Sequence, residues 1–243
     1  MKWNSVCFDL DNTLFSHEQA FKLAIEQCFH ELMNGISHVK NVSFDEFFPL
    51  FKHNSDRYWE SFEKREVSPK EYRRLRFLET VKELELPFTE IDADWFHERY
   101  YAIVDDYSIP YEGLESLLSF LRKHKMKIGI ITNGTADTQY NKLQKLGIAK
   151  WVSDHQMIVS EEVDVAKPDK RIFMLAKERF GLQEPVLFVG DSWKHDVIGA
   201  IEAGWDSIFL NSRGEKRTTE HSPVAECNTL LQVKQVIEKE VGE

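Results

Sequence analysis

From residue 109 onward the chain alternates short apolar runs with amphipathic stretches, and this alternation limits the folds open to it. Leu114, Leu117, Leu118 and Leu121 repeat at i, i+3, i+4 and i+7, the spacing of one buried helix face. An apolar strand ending at Thr132 follows, then a helix from Ala136 to Leu146 that Gly147 stops. Met157 to Ser160, Val186 to Val189 and Asp206 to Leu210 read as further strands, with helices at Arg171–Phe180 and Asp196–Ala203 between them. Near the start, Val6 to Leu10 reads as a short buried strand. Strands that alternate with helices pair in parallel, because each crossover carries the chain back to the same edge. The expected fold class is therefore α/β, a doubly wound parallel sheet.

Residues 16–108 break that rhythm. They hold no convincing strand but four helical stretches, at about 17–34, 43–64, 68–85 and 92–106. The third opens on Ser68-Pro69-Lys70-Glu71, a capping box with proline at the first helical position. Its basic cluster, Arg73-Arg74-Leu75-Arg76, reads as a solvated helix face. The simplest organisation is an α/β core formed by 1–15 and 109–243, with 16–108 as an all-helical insertion.

A net charge of -10 without a basic tract argues against nucleic acid as a partner. No opening apolar segment and no long apolar span supports secretion or membrane insertion, so the expectation is a cytoplasmic protein without a membrane partner. Cys7, Cys28 and Cys227 are far apart and read as reduced thiols.

Chemistry concentrates where strands end. In Cys7-Phe8-Asp9-Leu10-Asp11-Asn12-Thr13-Leu14 two carboxylates follow an apolar strand, two residues apart. Period-2 geometry sends both toward one side, and their repulsion asks for a cation between them. Three more segments lie at strand ends in order: Ile131-Thr132-Asn133-Gly134, then Ala166-Lys167-Pro168-Asp169, then Val189-Gly190-Asp191-Ser192 followed by Asp196. Together they resemble the haloacid dehalogenase (HAD) superfamily, whose motifs read DxDxT, S/T, K and GDxxxxD. All four are intact here and span Asp9 to Asp196.

The resemblance implies a Rossmann-like core whose helical insertion is a cap over the active site. It also implies a Mg2+-dependent phosphatase acting on small phosphate monoesters through an aspartyl-phosphate. Asp9 is then the nucleophile and Asp11 the general acid and base. Such proton transfer contributes about 10²–10⁴-fold in rate. Asp9, the Asp11 backbone carbonyl and Asp191 are the expected magnesium ligands. Thr132, Asn133, Gly134 and Lys167 are expected to cradle the phosphoryl group, and Asp196 to stand behind them, holding a water or orienting Lys167. The stretches Lys127–Gly134 and Ile158–Pro168 look like the nucleoside-monophosphate phosphatases of the superfamily, which makes nucleoside 5'-monophosphates one candidate substrate class. Sugar phosphates and phosphoglycolate are others. A phosphomutase carries the same four segments, and a 2-haloacid dehalogenase shares the fold without needing Asp11 or a metal. A HAD-like binding protein without turnover is the non-enzymatic alternative, although such a chain is expected to have lost Asp9, Asp11 or Lys167.

Overall fold

The computed structural model describes residues 2–34, 41–134 and 136–241. The chain divides into two compact units, Met1–His17 with Ser108–Glu243, and Glu18–Tyr107.

The first unit is built on a six-stranded sheet in which every pairing is parallel. Its strands are β1 (Ser5–Phe8), β2 (Lys127–Thr132), β3 (Met157–Val159), β4 (Val186–Gly190), β5 (Asp206–Leu210) and β6 (Ala225–Cys227), ordered β3-β2-β1-β4-β5-β6. The order reverses at β1, and the carboxyl edge beside such a reversal is where open α/β sheets bind ligands. Each residue of β1 and β4 is buried, as befits strands covered on both faces. On one face Cys7, Ile131 and Phe188 pack with Ile172, Phe173 and Ala176 of a helix at Lys170–Phe180. The Leu114–Lys123 helix buries the four leucines of its periodic stripe.

Several expected boundaries move for identifiable reasons. The first strand ends at Phe8 rather than Leu10, because the Leu10 carbonyl already accepts from the Thr13 and Leu14 amides in a turn. Asn12 takes φ 61° in that turn, a left-handed conformation that asparagine tolerates. The third strand stops at Val159, and Ser160–Val163 forms one short helical turn. The helix expected to begin at Asp196 begins three residues earlier, as a π-helical segment at Trp193–Ile198 leading into Gly199–Glu202. The strand at Ala225–Cys227 went unanticipated. It is three residues long with Glu226 exposed, too short and mixed to register as a strand. The closing helix Leu230–Val241 buries Leu230, Val233 and Ile237.

The second unit is helical: α1 (His17–Asn34, entering from the first unit), α2 (Phe44–Glu63), α3 (Pro69–Glu83) and α4 (Glu90–Ile103). Ser43 with Glu46 and Ser68 with Glu71 close capping boxes at the starts of α2 and α3. Phenylalanines form its core, with ring centroids 4.9 Å apart for Phe29 and Phe47, 5.5 Å for Phe51 and Phe96, and 5.0 Å for Phe77 and Phe96. The basic cluster of α3 is not uniformly solvated. Arg74 pairs with Glu90 and Asp94, but Arg76 is buried. Its guanidinium lies 5.1–5.9 Å from the rings of Phe21, Phe51, Tyr72 and Tyr100, so aromatic faces take the place of solvent. Among the described residues no helix is long and apolar enough to cross a membrane.

Candidate active site

Asp9 lies one residue beyond β1, where its amide still bonds the Val189 carbonyl of β4 at 2.9 Å. That last rung fixes the side chain at the carboxyl edge, 6% exposed. Its Oδ1 accepts from Lys167 Nζ at 2.6 Å, and its Oδ2 lies 3.0 Å from the Thr13 hydroxyl. The same hydroxyl is 3.2 Å from Asp191 Oδ1, tying the end of β1 to the end of β4. Asp191 also ion-pairs with Arg213, from the loop after β5.

Lys167 is 3% exposed and its ammonium bridges two carboxylates, Asp9 Oδ1 and Asp196 Oδ1, each at 2.6 Å. Asp196 Oδ2 accepts from the Ser192 amide at 2.9 Å, so both of its oxygens are used. Gly190 makes room for it, since a Cβ there would lie 2.4 Å from Asp196 Cγ. Asn133 clamps the Lys167 backbone from the other side: its Nδ2 donates to the Lys167 carbonyl and its Oδ1 accepts the Lys167 amide, both at 2.9 Å. His195 Nδ1 contacts the same carbonyl at 2.9 Å. The Gly134 amide donates to Ser160 Oγ at 3.2 Å. Thr132 is fully buried and its hydroxyl has no partner among the described residues, leaving a donor for an anion.

Asp11 is treated differently from Asp9. Its Oδ1 accepts from Lys142 Nζ at 2.7 Å and its Oδ2 from Gln139 Nε2 at 3.0 Å, with His17 Nδ1 at 3.8 Å from Oδ1. Both partners stand on the helix at Ala136–Lys145. Repulsion between the two early carboxylates is thus relieved by two separate lysines. Gln139, Lys142 and Arg213 were missed from sequence because their roles depend on which distant carboxylate each meets. Only the i, i+3 spacing of Gln139 and Lys142, which puts them on one helix face, was available as a signal.

The electrostatics sort the carboxyls. Burial pushes Asp9 up, Lys167 pulls it down and Asp196 adds repulsion, leaving it at about 6. Burial, with Asp9 and Asp196 nearby, pushes Asp191 up to about 8. Burial also raises Asp11, but Lys142 and His17 outweigh it and hold that carboxyl down at about 2. Burial lowers the Lys167 ammonium, yet Asp196 and Asp9 outweigh it and keep the group charged. The Cys7 thiol, pushed up by burial, is an inert core group rather than a nucleophile.

Asp9, Asp191 and Asp196 each offer an oxygen within 4.8 Å of the others. Hard carboxylate oxygens in excess over Lys167 and Arg213 fit a divalent cation such as magnesium. The Asp11 carboxylate lies outside that cluster and is held instead by Lys142 and Gln139.

Residues 3–204 match the family model of the haloacid dehalogenase-like hydrolases. The pyrimidine 5'-nucleotidase YjjG of Escherichia coli is 27% identical over 240 residues, covering 98% of this chain and 99% of that protein. A glyceraldehyde 3-phosphate phosphatase of Methanopyrus kandleri is 36% identical over 115 residues, 47% of this chain and 48% of its own length. Among solved structures, the magnesium-bound HAD hydrolase YfnB of Bacillus subtilis superposes with a TM-score of 0.80 at 25% identity, over 97% of this chain and 99% of that one. With the family pattern running from residue 3 to residue 204 and the fold shared along nearly its whole length, this protein belongs to the haloacid dehalogenase-like hydrolases.

Proposed function

We propose that the protein is a magnesium-dependent phosphatase that hydrolyses small phosphate monoesters through an aspartyl-phosphate on Asp9. One observation carries the reading: Asp9 is buried at the sheet edge, held by Lys167, inside a carboxylate cluster suited to a divalent cation. Asp11 is ionised at rest and is first loaded with the proton that the substrate's monoanion brings. An Asp9 oxygen attacks phosphorus, the bond to the leaving oxygen breaks, and Asp11 delivers that proton to the leaving oxygen. Water then attacks the phosphoryl group, gives its proton to Asp11 and releases inorganic phosphate with Asp9 restored. Lys167 and the unpartnered Thr132 hydroxyl neutralise and orient the phosphoryl oxygens. Asp196 holds the Lys167 ammonium in place. Asp9, Asp191 and the Asp11 carbonyl would hold magnesium, which would offset the charge between the carboxylates and a dianionic substrate.

Nucleoside 5'-monophosphates are the substrate class we favour, with the helical unit as the cap domain. A relative named as a pyrimidine 5'-nucleotidase aligns over 98% of the chain, helical unit included, whereas the triose-phosphate phosphatase aligns over 47%. A reducing, cytoplasmic setting suits the three buried free thiols. Asp9→Asn should lower phosphate release from uridine 5'-monophosphate by at least about 10³-fold while the circular dichroism spectrum is unchanged. Wild-type turnover by that variant would overturn the nucleophile assignment. Ranking phosphorylated metabolites by kcat/KM tests the substrate class, and a sugar phosphate at the top would displace the nucleotides.

A further inference from the structure

Asp11 has to meet a leaving oxygen in one half-reaction and a water in the next, so where its carboxylate points matters in both. In this structure it is fully occupied: Lys142 takes Oδ1 at 2.7 Å and Gln139 takes Oδ2 at 3.0 Å. Lys142 is 2% exposed, its ammonium also touches Gln139 Oε1 at 3.4 Å, and it lies 5.4 Å from the Phe15 ring centre. Gly134 is part of the same construction. A Cβ there would lie 2.4 Å from Gln139 Nε2, so the glycine after Asn133 is what lets the glutamine pass to Asp11.

A buried ion pair adds little net stability, because desolvation of the two charges cancels most of their attraction. A methionine at 142 would match the lysine in volume but leave the Asp11 carboxylate without its cation, so what the lysine supplies is a fixed place for that carboxylate. We infer that Lys142 and Gln139 are positioning residues for the general acid–base, fixing the Asp11 carboxylate through both of its oxygens. The inference rests on the phosphatase reading above and extends it to two residues outside its four motif segments. Neither touches the phosphoryl group in this scheme; each acts only through Asp11.

The test uses Lys142→Met, Lys142→Arg, Gln139→Ala and Asp11→Asn in the full chain, with magnesium. Substrates are uridine 5'-monophosphate, whose alkoxide needs a proton, and p-nitrophenyl phosphate, whose phenolate leaves without one. Lys142→Met should lower kcat on the nucleotide by about 10- to 100-fold. KM should change little, while the Tm should fall by roughly 10 °C because Asp11 loses its buried partner. The rate of the first half-reaction, read as phosphoenzyme formation in a single turnover, should fall much less with p-nitrophenyl phosphate. Lys142→Arg should recover most of the loss, and Gln139→Ala should show a smaller loss of the same kind. Adding Lys142→Met to Asp11→Asn should cost nothing further, since the group being positioned is already gone. A Lys142→Met enzyme at wild-type kcat, or losses that multiply in the double variant, would overturn the inference alone. Asp11→Asn at the wild-type rate would overturn the acid–base assignment and this inference together. If Lys142→Met does not fold, Gln139→Ala combined with Asp11→Asn decides by the same criterion.

Discussion

Two aspartates two residues apart end in opposite circumstances, and the difference lies in their neighbours rather than in their sequence. Asp9 shares one lysine with Asp196 and sits among carboxylates, so burial and repulsion leave it at about 6. Asp11 has a lysine to itself, with His17 and a carboxamide besides, and together they outweigh burial and hold it at about 2. In the resting arrangement Asp11 is therefore ionised, and it has to take up a proton with the substrate before it can act as the acid of the first half-reaction. Glycines decide whether these contacts can form. Replacing Gly190 by alanine would drive a Cβ into Asp196, 2.4 Å from its Cγ, and pull that carboxylate off Lys167. Overpacking of this kind costs about 1–3 kcal/mol. Gly190→Ala should accordingly lower the urea midpoint and reduce kcat/KM on p-nitrophenyl phosphate by about tenfold or more, since Lys167 and Asp9 shift with Asp196. Unchanged kinetics would mean that the Asp196–Lys167 contact is dispensable.

At the scale of elements, the carboxyl ends of the strands carry the site while the helices between them supply its supports. The π-helical segment at Trp193–Ile198 illustrates this: Ser192 caps it through the His195 amide, and Asp196 on its inner side reaches back to Lys167. Such segments are frequent at functional sites. In the helical unit, α3 and α4 meet through Arg76 and His97, whose Nδ1 is 3.2 Å from the guanidinium. Burial, then Arg76 and Arg73, push the His97 pKa far below its ordinary value, so the folded protein keeps this imidazole neutral. The unfolded chain takes up a proton below about pH 6.5 and the folded one does not. The contribution is therefore intact above pH 6.5 and is lost as the pH falls, by at most about 1.4 kcal/mol per pH unit. Asp9 and Asp191, raised to about 6 and about 8, gain stability as the pH falls over the same range, so the test is a difference. From pH 7.5 to 5 the wild-type urea midpoint should fall relative to that of His97→Gln, which keeps an acceptor for Arg76. Parallel curves would exclude His97 as the source.

At the scale of the whole molecule, the candidate site draws on residues from Asp9 to Arg213, so it exists only once the first unit has folded. A cation bound there is linked to folding by mass action. At a hundredfold excess over its Kd, magnesium should stabilise the protein by about 2.7 kcal/mol, read as a rise of several degrees in Tm. Asp191→Asn should remove most of that rise, and a Tm insensitive to millimolar magnesium would exclude the site. The alternation of apolar runs and amphipathic helices was enough to state the parallel sheet, because burial on both faces writes itself into every strand. The four strand-end segments were legible for the same local reason: a turn after a buried strand leaves its polar residues at one edge. Tertiary structure alone decided which lysine meets which carboxylate, that Arg76 turns inward to aromatic rings, and that a three-residue strand completes the sheet. Those outcomes depend on distances between segments far apart in the chain. A side chain's type and its neighbours in sequence say nothing of the partner that folding brings to it.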